Sequence, residues 1–120
     1  MNAQEIQEKI DSLHYWDARV VSLECNYFAD EVTIEYEDSE GNIIYKFNGC
    51  YKTKFEHYIG HDKDVPVKNL TQIQLPYFLH NVDVGSVKFE GIELYICKIG
   101  MSPMNIEIWC KDIEIQKCIL

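Results

Sequence analysis

The sequence lacks long hydrophobic runs, Cys-x-x-Cys pairs and any excess of basic residues. No segment approaches the roughly 18 consecutive apolar residues that cross a bilayer, and the chain does not open on a basic stretch followed by an apolar run. The sequence therefore predicts neither export nor a membrane anchor, and we expect a cytoplasmic protein.

The cysteines are odd in number and widely spaced: Cys25, Cys50, Cys97, Cys110 and Cys118. We expect them to be reduced and mostly buried, as small apolar side chains in a cytosol, with a disulfide or metal role as the alternative. Because a buried thiol is inert, we expect no catalytic cysteine.

Two short segments carry metal-binding residue types without the spacing that a site requires. His57 and His61 would share one face of a helix, but a helix-breaking glycine and no glutamate lie between them. Asp62 and Asp64 begin the rhythm of a calcium loop, but no glutamate closes it. We predict no metal, no cofactor and no catalytic residues. A small-ligand-binding or enzymatic domain of unknown chemistry is an alternative.

Acidic residues outnumber basic ones by 20 to 11, and the net charge is −9. This excess repels the phosphates of nucleic acids and the surfaces of anionic membranes. We therefore expect neither nucleic acid nor a membrane as a partner. Basic proteins are the partners that electrostatics favours.

The chain of 120 residues has the usual length of one domain, and we predict a single domain over residues 1–120. Near its start, Asn2 and Glu5 have the spacing of a capping box, and apolar residues then recur at helical spacing. The sequence predicts one short N-terminal helix within residues 1–16, packed on a β-sheet region over residues 17–120.

Alternating apolar and polar residues predict half-buried strands through most of this region. Turn-forming residues 38–42 predict a hairpin centred near Gly41. The apolar phase shifts near residues 90–91 and again near residues 111–112, which indicates bulges or tight turns in a curved sheet. The fold class is mostly β, an antiparallel meander sheet or sandwich of about six to eight strands.

The middle third of the chain has weaker periodicity. We predict a surface loop over residues 52–68, where charge, Gly60 and Pro66 are concentrated. Residues 70–75 alternate again and predict a strand that ends at Pro76, since proline lacks the N–H that an interior strand needs.

Acidic residues concentrate in one quarter of the chain. Residues 20–45 hold seven of them and no lysine or arginine. Because polar positions of adjacent strands share one face, we expect an exposed acidic surface that meets lysines and arginines of a partner. Its predicted partner-binding residues are Glu24, Glu31, Glu35 and Glu37. A role in solubility alone is the alternative.

Trp16 lies in a polar and aromatic cluster, residues 14–17, where the helix joins the first strand. A structural role at this junction is the main expectation. The alternative is that Trp16 is partly exposed and anchors a partner, because tryptophan is enriched among binding hot spots. We therefore include it among the predicted partner-binding residues.

Three segments carry a family resemblance: WDARVVSL at 16–23, IIYKFNGC at 43–50 and NIEIWCKDI at 105–113. With the acidic strands between them, they resemble small immunity proteins of bacterial polymorphic-toxin systems, in particular immunity protein family 50. The resemblance implies a cytosolic bacterial protein that covers a cognate toxin, often a basic nuclease, and catalyses nothing. A housekeeping interaction module that forms a homo-oligomer is the other alternative.

Overall fold

The structure, a computed structural model, describes residues 1–58 and 65–119. These residues form a helix, six strands and two short 3-10 turns, Val67–Asn69 and Gln72–Gln74. The helix and strands are α1 (Ala3–Ser12), β1 (Val20–Asn26), β2 (Glu31–Asp38), β3 (Gly41–His57), β4 (Asn81–Phe89), β5 (Ile92–Met101) and β6 (Met104–Ile119). The strands make one antiparallel sheet in the order β1-β2-β3-β6-β5-β4. The predicted fold class is confirmed, with six strands.

The helix begins with the predicted capping box. The Glu5 N–H donates to Asn2 Oδ1 over 2.8 Å, and the Asn2 N–H donates to Glu5 Oε1 over 3.1 Å. The helix ends at Ser12 rather than near residue 16, because Leu13 is its C-cap and His14 has φ 51°. Positive φ of this kind cannot continue a right-handed helix.

The helix protects the free edge of β4. The Gln7 side chain donates to the Val82 carbonyl over 2.8 Å and accepts from the Val84 N–H over 2.6 Å. The Tyr15 hydroxyl accepts from the Val82 N–H over 3.1 Å. These bonds occupy backbone groups that an edge strand would otherwise offer to another chain.

Both predicted turns are present. Asp38 pairs with Gly41, so Ser39 and Glu40 alone close the β2–β3 hairpin. Glu90 and Gly91 close the β4–β5 hairpin, with φ 47° and 81°. Two consecutive positive φ angles are typical of the type I′ turn, whose twist matches that of the flanking strands.

The second phase shift, near residues 111–112, is also confirmed. Cys110 and Ile113 are both buried, so the inward positions of β6 change parity between them. The paired strand β3 has Gly49 at the same point, with φ 63°. A glycine takes this left-handed conformation without the steric penalty of a side chain.

The sheet is curved, as predicted. Residues just before β1 bond to residues just before β4, although these strands form opposite edges of the sheet. The Val20 N–H donates to the Tyr77 carbonyl over 2.7 Å, and the Leu79 N–H donates to the Ala18 carbonyl over 2.9 Å. We call the side of the sheet that packs on α1 and holds the core the inner face, and the opposite side the outer face.

Both predictions for the middle third need correction. β3 continues to His57, so residues 52–57 are strand and not loop. These residues are polar or exposed on both faces of the sheet, so buried and exposed positions do not alternate along them. Each of them nevertheless pairs with a residue of β6. Residues 70–75 contain the 3-10 turn Gln72–Gln74 and no strand, because the Thr71 N–H bonds to the Gln74 side chain and competes with strand pairing. The predicted loop residues 59–64 lie outside the described residues.

The expectation of mostly buried cysteines holds for part of the set. Cys97 and Cys110 are buried and Cys50 is half-buried, whereas Cys25 and Cys118 are exposed. Cys25 was expected inside, since its apolar phase continues that of β1. It is exposed because β1 is an edge strand whose last residues extend past the core.

Candidate functional site

The four glutamates predicted to bind a partner lie on the outer face of β1 and β2. Val32, Ile34 and Tyr36 are buried on the inner face, so the alternate residues of β2 point outward. Glu24 pairs with Thr33, which places it on the same side as the β2 glutamates. The structure therefore brings together the four predicted residues Glu24, Glu31, Glu35 and Glu37.

Strand β6 adds two further carboxylates that sequence analysis missed. Across β3, Asn48 pairs with Asp112 and Lys46 pairs with Glu114. Both acids are exposed. In the sequence of β6, Asp112 and Glu114 alternate with Ile113 and Ile115, which indicates that they point outward. Only the pairing of β3 with β6 shows that they lie on the same face as the β2 glutamates. We call this surface the acidic face: Glu24, Glu31, Glu35, Glu37, Asp112 and Glu114.

One lysine, Lys46, lies within the acidic face. Its Nζ is 3.5 Å from Glu31 Oε1. Asn48 donates to Glu114 Oε2 over 3.0 Å, and this hydrogen bond joins the row of Asp112 to the row of Lys46. Six carboxylates against Lys46 and, at Glu37, Arg19 leave a negative surface, which suits lysine and arginine side chains.

Not all of the acidic face is as exposed as expected. Glu24 is exposed, but the three glutamates of β2 are half-buried and already have partners within the chain. Asn42 donates to Glu35 Oε2 over 2.6 Å, and Arg19 Nη1 lies 3.8 Å from Glu37 Oε2. Glu24, Asp112 and Glu114 are exposed, but Glu114 accepts a hydrogen bond from Asn48, so Glu24 and Asp112 are the carboxylates most available to a partner.

The β2–β3 turn forms a second charged cluster at one end of the sheet. Lys117 Nζ lies 3.3 Å from Glu40 Oε2 and 3.6 Å from Asp38 Oδ2. The hydrogen bond from Lys117 to Glu40, reinforced by the charges of Glu40 and Asp38, raises the pKa of Lys117. Because this lysine neutralises part of the turn, the acidic face is the more negative of the two regions.

At the other end of the acidic face, four residues connect β1 to β2. Tyr27, Phe28 and Ala29 have φ 53°, 56° and 69°. None is a glycine, so each left-handed residue costs about 1–2 kcal/mol. Hydrogen bonds hold the segment, which we call the aromatic loop: the Asp30 N–H donates to the Tyr27 carbonyl over 3.1 Å, and the Cys50 N–H donates to the Asp30 carbonyl over 2.9 Å.

The structure does not bring Trp16 to the acidic face. Its ring stacks on Tyr15, with centroids 4.4 Å apart, and Tyr15 is part of the core beneath α1. Half of the Trp16 surface, 51%, is exposed. The stacked side of the ring fits the predicted packing role, and the exposed half leaves a surface for the predicted partner contact, separate from the glutamates.

The buried thiols offer no reactive nucleophile. Burial raises the pKa of Cys110 to about 12 and that of Cys50 to about 11, and it also raises the pKa of Cys97 and Cys25. These thiols are therefore protonated at neutral pH. Of the two predicted histidines, His57 bonds to the Tyr77 hydroxyl over 2.8 Å, and His61 lies outside the described residues, as do Asp62 and Asp64.

Comparison with known protein families identifies the family of this chain. Residues 2–117 match the family model described as Immunity protein PIM7. No curated protein matches the chain. Among the helices that the structure describes, none is long and apolar enough to cross a membrane.

Proposed function

The chain belongs to the Immunity protein PIM7 family, and from this premise we propose that it neutralises a cognate toxin by binding a basic surface of that toxin. The membership confirms the class of small immunity proteins predicted from residues 16–23, 43–50 and 105–113, although the matching family is PIM7 and not family 50. In this proposal the protein acts by steric cover and catalyses no reaction.

The observation that carries the proposal is the acidic face. Its six carboxylates come from β1, β2 and β6, and among the described residues two cations contact them, Lys46 at Glu31 and Arg19 at Glu37. A surface of one sign attracts a partner of the opposite sign and raises the rate of encounter. A toxin that acts on nucleic acid needs basic residues around its own site, and covering them with carboxylates would block the substrate.

We place this activity in the bacterial cytosol. The five cysteines are unpaired, and the two most deeply buried, Cys97 and Cys110, lie in the core as free thiols. Free thiols are the usual state in a reducing compartment. An immunity protein in the cytosol would meet an incoming toxin where the toxin acts.

The test first identifies a toxin gene adjacent to the gene of this chain and then measures protection of cells that express its toxin domain. The test variant carries Glu24→Lys and Glu114→Lys, which lie at opposite ends of one row across the acidic face. We expect it to fold normally and to lose protection at toxin levels that the unchanged protein tolerates.

The matched control carries Glu8→Lys and Glu93→Lys. Both residues are exposed and lie outside the acidic face, on α1 and β5. The control has the same net charge as the test variant and should still protect. Equal protection by the two variants would contradict the use of the acidic face, and no protection by the unchanged protein would contradict the proposed function itself.

A further inference from the structure

The aromatic loop exposes two large side chains where a folded chain normally hides them. Phe28 is fully exposed and Tyr27 is 76% exposed. Some other exposed aromatic residues have a ring against them: Trp16 stacks on Tyr15, and Phe89 packs edge-on against Trp109 at 5.8 Å, whereas Tyr58 shows no such contact among the described residues. Within the described residues, Tyr27 and Phe28 have no such contact.

The backbone of the loop holds these side chains outward. Three consecutive residues, from Tyr27 to Ala29, lie in the left-handed region that favours glycine. The backbone bonds from Asp30 to Tyr27 and from Cys50 to Asp30 close the loop and tie it to β3. A side chain on a fixed backbone loses little conformational entropy when it binds, which suits a rigid aromatic anchor.

The loop also adjoins the acidic face. The last row of that face runs through Asn26, Glu31, Asn48 and Asp112, and the aromatic loop connects the first two of these. Asp30, in the loop itself, is exposed and adds one more carboxylate. An apolar projection bordered by acids is complementary to an apolar recess bordered by lysines and arginines.

We propose that Tyr27 and Phe28 are the apolar anchors of the toxin-binding surface and insert into a recess on the toxin that basic side chains surround. This inference rests on the proposed function and adds the part of the surface that determines how long the complex lasts. The acidic face governs encounter, whereas a buried aromatic anchor governs dissociation, since most affinity differences within one interface lie in the dissociation rate.

The experiment measures binding of purified chain to a catalytically inactive form of the toxin domain encoded beside its gene. Phe28→Ala should raise the Kd about 30-fold, mainly through faster dissociation, and Tyr27→Ala should raise it about tenfold. Both side chains are exposed in the free protein, so the urea midpoint of either variant should stay close to that of the unchanged chain.

Tyr58→Ala is the matched control. Tyr58 is 79% exposed, nearly the same as Tyr27, and follows the far end of β3, about 30 Å along the strand from Asn48. This variant should bind the toxin domain within about twofold of the unchanged chain. A loss equal to that of Phe28→Ala would overturn the proposal, because any exposed aromatic residue would then have the same effect.

Two other outcomes would overturn it as well, and they can be told apart. If the unchanged chain binds and Phe28→Ala binds equally well, the anchor is wrong and the proposed function stands. If the unchanged chain does not bind the toxin domain, the proposed function fails and the anchor fails with it. Sedimentation of the free chain adds a third arm: a dimer that Phe28→Ala dissociates, with toxin binding unchanged, would assign the loop to a second copy.

Discussion

Strands β2 and β3 have two faces with opposite chemistry. On the inner face, Ile34, Tyr45 and Phe47 are completely buried. On the outer face, the residues next to them in sequence stay partly in water, and all but one are polar: Thr33, Glu35, Ile44, Lys46 and Asn48. Period-two alternation thus assigns folding to one set of residues and, in the proposed function, recognition to the other, within the same strands. The two sets should therefore respond to mutation in different ways.

The largest expected effect is on the inner face. Phe47→Ala removes a fully buried ring that packs edge-on against Tyr45, with ring centroids 6.5 Å apart. We expect the free energy of unfolding to fall by about 3–5 kcal/mol, from lost burial and from the cavity left behind. Urea unfolding followed by circular dichroism measures this loss.

Its neighbour Lys46 points outward and provides the control. Lys46→Ala removes one partly exposed ion pair with Glu31, and such pairs contribute about 0–1 kcal/mol. A stability loss from Lys46→Ala as large as that from Phe47→Ala would show that the two faces do not divide folding from recognition.

The second effect comes from alkaline pH. Burial raises the pKa of Tyr36 to about 12, from an ordinary value of 10.0. The folded chain then keeps a proton that the unfolded chain releases, so stability is complete below pH 10 and falls as pH rises towards 12. Tyr36 alone should account for about 2 kcal/mol across this range.

Urea unfolding at pH 9, 10 and 11 tests this expectation, with Tyr36→Phe as the comparison. The variant lacks the titrating hydroxyl, so its stability should decline less steeply with pH, even though it loses the hydrogen bond to Tyr45. If the stability of both proteins declined equally with rising pH, Tyr36 would not be the group whose ionisation lowers the stability.

The third effect is smaller and concerns the aromatic loop. Ala29 has φ 69°, which glycine adopts more readily than alanine. Ala29→Gly should therefore stabilise the fold by about 0.5–1 kcal/mol, after allowing for the greater entropy of glycine in the unfolded chain. A shift of the urea midpoint to higher concentration is the expected result, and a shift to lower concentration would argue against a strained loop.

The sequence predicted those parts of the fold that are determined by residues close together in the chain. The Asn2 capping box, the turn near Gly41 and the shift at residues 90–91 all follow from residues within one turn or one hairpin. Residues 52–57 could not be recognised as strand, because their pairing with β6 comes from long-range contacts and leaves no burial period in the sequence.

The candidate site could be predicted only in part for the same reason. Glu24 and the β2 glutamates lie within one hairpin, so alternation alone placed them together. Asp112 and Glu114 reach the acidic face only through the β3–β6 register. Tyr27 continues the apolar phase of Leu23 and Cys25, yet it is exposed. Its exposure follows from a left-handed backbone that no glycine or asparagine marks in this loop.

The measurement that tests the account most directly is the association rate with the inactive toxin domain at low and high salt. Exposed charges are screened within about 8 Å at physiological ionic strength, so steering by the acidic face should weaken as salt is added. At low salt, Glu24→Lys with Glu114→Lys should slow association about tenfold relative to the unchanged chain, and the two rates should converge at high salt. Equal rates for the two proteins at low salt would contradict the claim that the acidic face recognises a basic toxin.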